Sequence, residues 1–136
     1  MKTLTREEIL NAPDRRMVPV EIPEWGGEGA GVYVRSLTAF ERANAETKWH
    51  NYRKNRGLSE EDYNFYDPFY ASFVVCDESG KLLFTPNEVE ALSRKASKPL
   101  ERIVLISRRL NGNSIAEIEA IAKNSVAVPS CSTGSD

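Results

Sequence analysis

Two short alternating segments, "MVPVEI" at 17–22 and "GVYVRS" at 31–36, place the first constraint on this chain. Val18, Val20 and Ile22 share one face of the first, and Val32 and Val34 share a face of the second. Between them lies "PEWGGEGAG", rich enough in glycine to reverse the chain. The pattern predicts a β-hairpin, 17–22 paired with 31–36. Two strands alone are marginal in water, so their apolar face must rest on helices or on another subunit.

The rest of the chain reads as those helices. "TREEILN" at 5–11 is a short one, with Thr5 and Glu8 as a capping box and Pro13 beyond its end. "LTAFERANAETKWHNYRKN" starts with a second box, Thr38 and Glu41, and meets no glycine or proline until Gly57, which predicts about four turns. Its apolar residues fall on two sides: Phe40, Ala43 and Thr47 on one, Ala45, Trp49 and Tyr52 nearly opposite. Such a helix sits in the middle of a fold or keeps one side for a partner. "GLSEEDYNFY" reads as a connection. "DPFYASFVVC" predicts a helix capped by Asp67, with Pro68 in first place. Two more follow, Pro86 to about Ala96 and Lys98 to Asn111-Gly112, the second capped by Ser97. Ser114 and Glu117 would cap a last helix, "IAEIEAIAKN", and residues 125–136 are small and polar enough to predict a disordered tail. The expected fold class is α+β, mostly α: one domain over 1–124, a hairpin followed by four to five helices in a small bundle.

Composition removes several classes of function. With 40% hydrophobic and 28% charged residues the chain is of globular type, and 18 basic against 20 acidic residues leave no excess to attract nucleic acid or an anionic bilayer. No run approaches the roughly 20 apolar residues of a membrane span. The N-terminus is charged within its first seven residues, unlike a signal peptide. Cys76 and Cys131 form no CxxC pair, and Cys131 falls in the tail, so reduced thiols in a cytosolic protein are expected.

Each possible chemical site fails on its own residues. Asp77 and Glu88 have the separation of the first and last ligands of a calcium loop, but Lys81 stands at a ligand position and Leu82 where glycine is required. A turn at Asp77-Ser79-Gly80 and a cap at Thr85–Glu88 explain the stretch instead. "GGEGAG" precedes a strand rather than a helix and contains Glu28, which repels phosphate. A helix-turn-helix DNA-binding regulator, formed by the helices around "LNGN", is the alternative function. Its second helix carries Glu117 and Glu119 against Lys123, the wrong sign for a major groove. His50 is the sole histidine and has no partner for a metal or a triad. No catalytic residue, cofactor, metal or small-molecule substrate is assigned. What remains is surface. Leu100, Ile103, Val104 and Leu110 should face the core, leaving Leu105 opposite, ringed by charges that include Arg102 and Arg109. Trp49 and Tyr52 are of the types that concentrate at interfaces, the other reading being burial beneath the hairpin.

The order of these parts resembles the tail assembly chaperones of long-tailed bacteriophages. In that family a hairpin ending V-x-V-R-x-L-x-x-x-E-R precedes a helix, matched here by Val32, Val34, Arg35, Leu37, Glu41 and Arg42. A D-x-x-G-x-x-x-F turn, then x-V-x-x-L-x-x-K and L-N-G, are matched by Asp77, Gly80, Phe84, Val89, Leu92, Lys95 and Leu110-Asn111-Gly112. The match covers about residues 18–112, and the aromatic stretch "DYNFYDPFY" departs from it. The resemblance implies a helical protein of the host cytoplasm, absent from the finished virion. It would bind the tape measure protein, and possibly the tail tube protein or further copies of itself. Members are often also made as a longer frameshifted form, for which the polar tail would suit a point of fusion.

Overall fold

The computed structural model describes residues 1–112; the helix expected after Ser114 and the tail expected at 125–136 lie outside the described residues. So does the second helix of the helix-turn-helix alternative. The described residues form a mixed α/β fold with a small antiparallel sheet of three strands and six α-helices.

The two predicted segments pair as antiparallel strands, in a register that their ranges alone did not define. β1 (Met17–Glu21) pairs with β2 (Gly31–Arg35), Val18 opposite Val34 and Val20 opposite Val32. The Ser36 N–H donates to the Arg16 carbonyl and the Ile22 N–H to the Ala30 carbonyl, both at 2.7 Å. By alternation the even-numbered residues of β1 direct their N–H groups at β2, and the odd-numbered ones direct theirs outward. Pro19 therefore stands where the open edge would offer a donor, and it has none. The glycine-rich reversal holds one turn of helix, α2 (Pro23–Gly26), which the glycines had hidden from sequence reading.

The third strand was not expected. α4 (Tyr66–Val74) takes most of the segment predicted as helix, but Val75 and Cys76 leave it as β3, pairing with Val34 and Tyr33. Adjacent valines favour this, since β-branched side chains suit an extended backbone better than a helix end. The chain then turns tightly and returns: Leu82 bridges to Cys76, and the Leu83 N–H donates to the Val75 carbonyl at 3.1 Å. Asp77 makes that turn. Its Oδ1 accepts from the Ser79 N–H at 2.9 Å, the Ser79 hydroxyl at 2.6 Å and the Lys81 N–H at 3.1 Å, and Gly80 takes φ +87°. Eleven residues on, Glu88 accepts from the Thr85 N–H at 2.9 Å. The two carboxylates of the apparent calcium loop thus serve as a turn and a cap.

Three helix starts differ from expectation. α4 begins at Tyr66 with Phe65 in the cap position, so Asp67 lies in the first turn rather than capping it. α6 (Ser97–Leu110) has Ala96 in the cap position and Ser97 as its first residue. The segment after Thr85 is a 3-10 turn (Pro86–Glu88) followed by a short α5 (Val89–Ser93). Its last turn is tightened by bonds from Arg94 to Ala91 and from Lys95 to Leu92, which stops it short of Ala96. α1 (Arg6–Asn11) and α3 (Ala39–Asn55) carry the capping boxes that were predicted.

α4 is the centre of the core. Phe69, Ala71, Phe73 and Val74 are buried, and the helix packs on α3, α5 and α6. α6 packs on β2 and buries Leu100, Ile103 and Val104, as its spacing required, and Val20, Ile22 and Val34 complete the interior from the hairpin. Glu41 gathers the N-terminal connections: it caps α3 and accepts from Arg15 at 3.1 Å and Arg35 at 3.0 Å. Arg35 also donates to the Phe73 carbonyl at 3.2 Å. At the far end Asn111 stops α6 while its Oδ1 accepts from the Leu37 N–H at 2.9 Å, and its Nδ2 donates to the Ser107 carbonyl at 2.9 Å.

Candidate functional site

α3 is polar around most of its circumference, so the few large apolar residues on it decide where it sits. Trp49 is 8% exposed, and its ring lies within 6.4 Å, centroid to centroid, of Tyr52, Tyr63, Tyr66 and Phe69. Tyr52 meets Phe65 at 5.8 Å and Phe69 at 5.2 Å. The aromatic stretch at 62–70 is what closes over α3. Trp49 is buried beneath that stretch, not beneath the hairpin.

Cations finish the cluster. The Arg53 guanidinium lies 5.3 Å from the Trp49 ring and 5.9 Å from that of Tyr63, Arg56 lies 4.7 Å from Tyr52, and Arg108 lies 5.6 Å from Tyr66. Arg56 is also ion-paired with Glu90. Burial pushes the Tyr52 hydroxyl up from its ordinary range, and the same cause raises Asp67. Beside the cluster a groove of about 740 Å³ opens between α3, the start of α4 and the α5–α6 connection. Trp49, Tyr63 and Tyr66 line it together with Arg53, Lys95 and Arg108. That volume lies within the range of ligand pockets, about 300–1,000 Å³.

No protein-family model, curated protein or solved structure matches this chain. Among the described residues no three of histidine, cysteine, aspartate and glutamate gather as metal ligands would, and no helix is long and apolar enough to cross a membrane.

The five residues expected to meet a partner do not form one patch. Trp49 and Tyr52 are spent within the chain, and this corrects the expectation: the exposed apolar side of α3 is the opposite one, with Phe40 77% exposed and Ala43 and Thr47 open beside it. Sequence spacing had identified both sides but carried no sign of which the aromatic stretch would cover. Leu105 is exposed on the outer face of α6, with Arg109 exposed nearby in sequence. Arg102 is already engaged. It donates to both carboxylate oxygens of Glu24, at 3.0 and 2.8 Å, and to the Glu21 carbonyl at 3.3 Å, which ties the hairpin tip to α6.

That tie has a pH signature. The Arg102 hydrogen bonds, helped by the residue's own backbone N–H, hold the Glu24 carboxyl down to about 2, against 4.5 for an unperturbed glutamate. Because the folded value is depressed, the contribution is complete above the unfolded value and is lost as pH falls through the folded one. Between pH 5 and 2 the hairpin tip should loosen, seen as a change in tryptophan emission to which Trp25 contributes. In Glu24→Gln the part of the change due to this pair should be missing. An identical acid titration in the variant would refute the assignment.

Proposed function

We propose that this chain is a non-enzymatic tail assembly chaperone of a long-tailed bacteriophage. On this reading it works in the host cytoplasm. It binds the long, helical tape measure protein and keeps it soluble while tail tube subunits assemble around it, and it leaves before the virion is complete. The fold is then a hairpin at the head of a small helical bundle. The observation that carries the reading is the meeting of motif residues from distant parts of the sequence. Arg35 and Glu41 pair with each other, and Leu37 of the same motif bonds to Asn111 of the L-N-G motif, 74 residues away. Residues that carry the family resemblance thus act together as fasteners of one fold.

The surface supports the same reading. Exposed Leu4, Ile9, Leu10, Phe40, Tyr63 and Leu105 supply apolar contacts spread over several elements, as weak reversible binding requires. α1 is capped by Thr5 and Glu8 yet buries none of its residues. An isolated helix of six residues is far below the roughly 12–15 needed for stability in water, so it gains from a partner.

Co-expression provides the test. A tape measure protein from the same phage should move into the soluble fraction with this chain and co-purify with it. A tape measure protein that stays equally insoluble with and without this chain would overturn the proposal.

A further inference from the structure

The groove beside Trp49 has a charge pattern that specifies what it can hold. Arg53, Lys95 and Arg108 face it, and none has a carboxylate within ion-pair distance among the described residues. Four other arginines are spent: Arg15 and Arg35 on Glu41, Arg56 on Glu90, Arg102 on Glu24. Arg53 donates to the Glu60 carbonyl at 2.8 Å, but its Nε is buried without an acceptor. Between the cations the wall carries Tyr63 and Tyr66 beside Asn64, Ser93 and Ser97, and Tyr63 is 60% exposed. Two carboxylates, Glu46 and Asp67, also line the groove, leaving an excess of one positive charge. They stand against a phosphate backbone, which would carry a negative charge at every nucleotide past them.

Resting on the chaperone reading, we propose that this groove receives an amphipathic helical segment of the client polypeptide in which carboxylates flank an apolar stripe. The apolar side chains lie on Tyr63 and Tyr66, which Trp49 backs from beneath, and the flanking carboxylates meet Lys95, Arg108 and Arg53. A helix is about 10–12 Å across, so it lies along an open groove of this kind instead of entering it. The cations select the flank; the rings hold the stripe.

Two labelled synthetic peptides with one leucine stripe, flanked by glutamates in one and by lysines in the other, test this by fluorescence anisotropy on the full chain. The glutamate peptide should bind about tenfold more tightly. In Lys95→Glu/Arg108→Glu, shown folded by circular dichroism, the preference should reverse; Tyr63→Ala should weaken both peptides. Equal binding of the two peptides, or an unchanged preference in the double variant, overturns the proposal. So does displacement of the peptide by a single-stranded oligonucleotide at physiological salt. Self-association of the chain that the double variant abolishes would make a second copy the occupant and overturn it too. If the glutamate peptide binds but a tape measure protein stays insoluble on co-expression, the proposed function fails and the groove assignment stands. A soluble client with no peptide preference sinks the groove alone.

Discussion

Trp49→Ala should lower the free energy of unfolding by about 3–5 kcal/mol, the range for truncating a buried tryptophan. The ring contacts four others and supports Arg53, so its removal leaves a cavity between α3 and α4 that the rigid surrounding rings cannot fill by collapse. Phe40→Ala, on the other side of the same helix, should change stability by no more than about 0.5 kcal/mol, because that ring is already in water. Urea unfolding of the two variants measures both. The contrast is the informative quantity: a similar loss in each would mean that α3 is covered on both sides and that Phe40 is no free surface. A loss below about 1 kcal/mol for Trp49→Ala would mean that the aromatic stretch does not close over the helix.

Local signals in the sequence located several parts that are made by neighbours, although the cap residues of α4 and α6 were displaced by one or two positions. The two strands of the hairpin followed from alternating valines, the starts of α1 and α3 from threonine and glutamate three apart, and the Asp77 turn from its own side chain. The inward stripe of α6 followed from spacing alone. What the sequence hid is whatever depends on distant partners. Val75 and Cys76 continue a helical pattern and become strand because β2 offers them hydrogen bonds. Asn111 reads as a helix stop, and nothing nearby announces that it also holds Leu37. The candidate site shows the limit most clearly. Trp49 and Phe40 are both large residues on one helix, and only the packing of residues 62–70 decides which is core and which is surface. Arg102 looked like part of a binding rim because its carboxylate partner, Glu24, lies 78 residues away.

Gly31→Ala should be the most damaging small change in the hairpin, at about 3 kcal/mol or more, the upper end for overpacking. A Cβ at this position would lie 2.2 Å from the Val20 carbonyl oxygen and 3.0 Å from the Glu21 Cα, and neither is a flexible side-chain end that can swing aside. One strand must move. The displaced segment carries Val20 and Ile22, at 5% and 1% exposure, and the Glu21 carbonyl that Arg102 reaches. The damage therefore spreads from a single methyl group into the contact between the sheet and α6. Faster hydrogen exchange at the amides of residues 18–22 and 30–34, with a lower urea midpoint, is the expected result. An alanine variant with full stability and unchanged exchange would show that the two strands do not approach this closely. The pairing of Glu21 with Gly31, and with it the seat of the hairpin on α6, would then have to be redrawn.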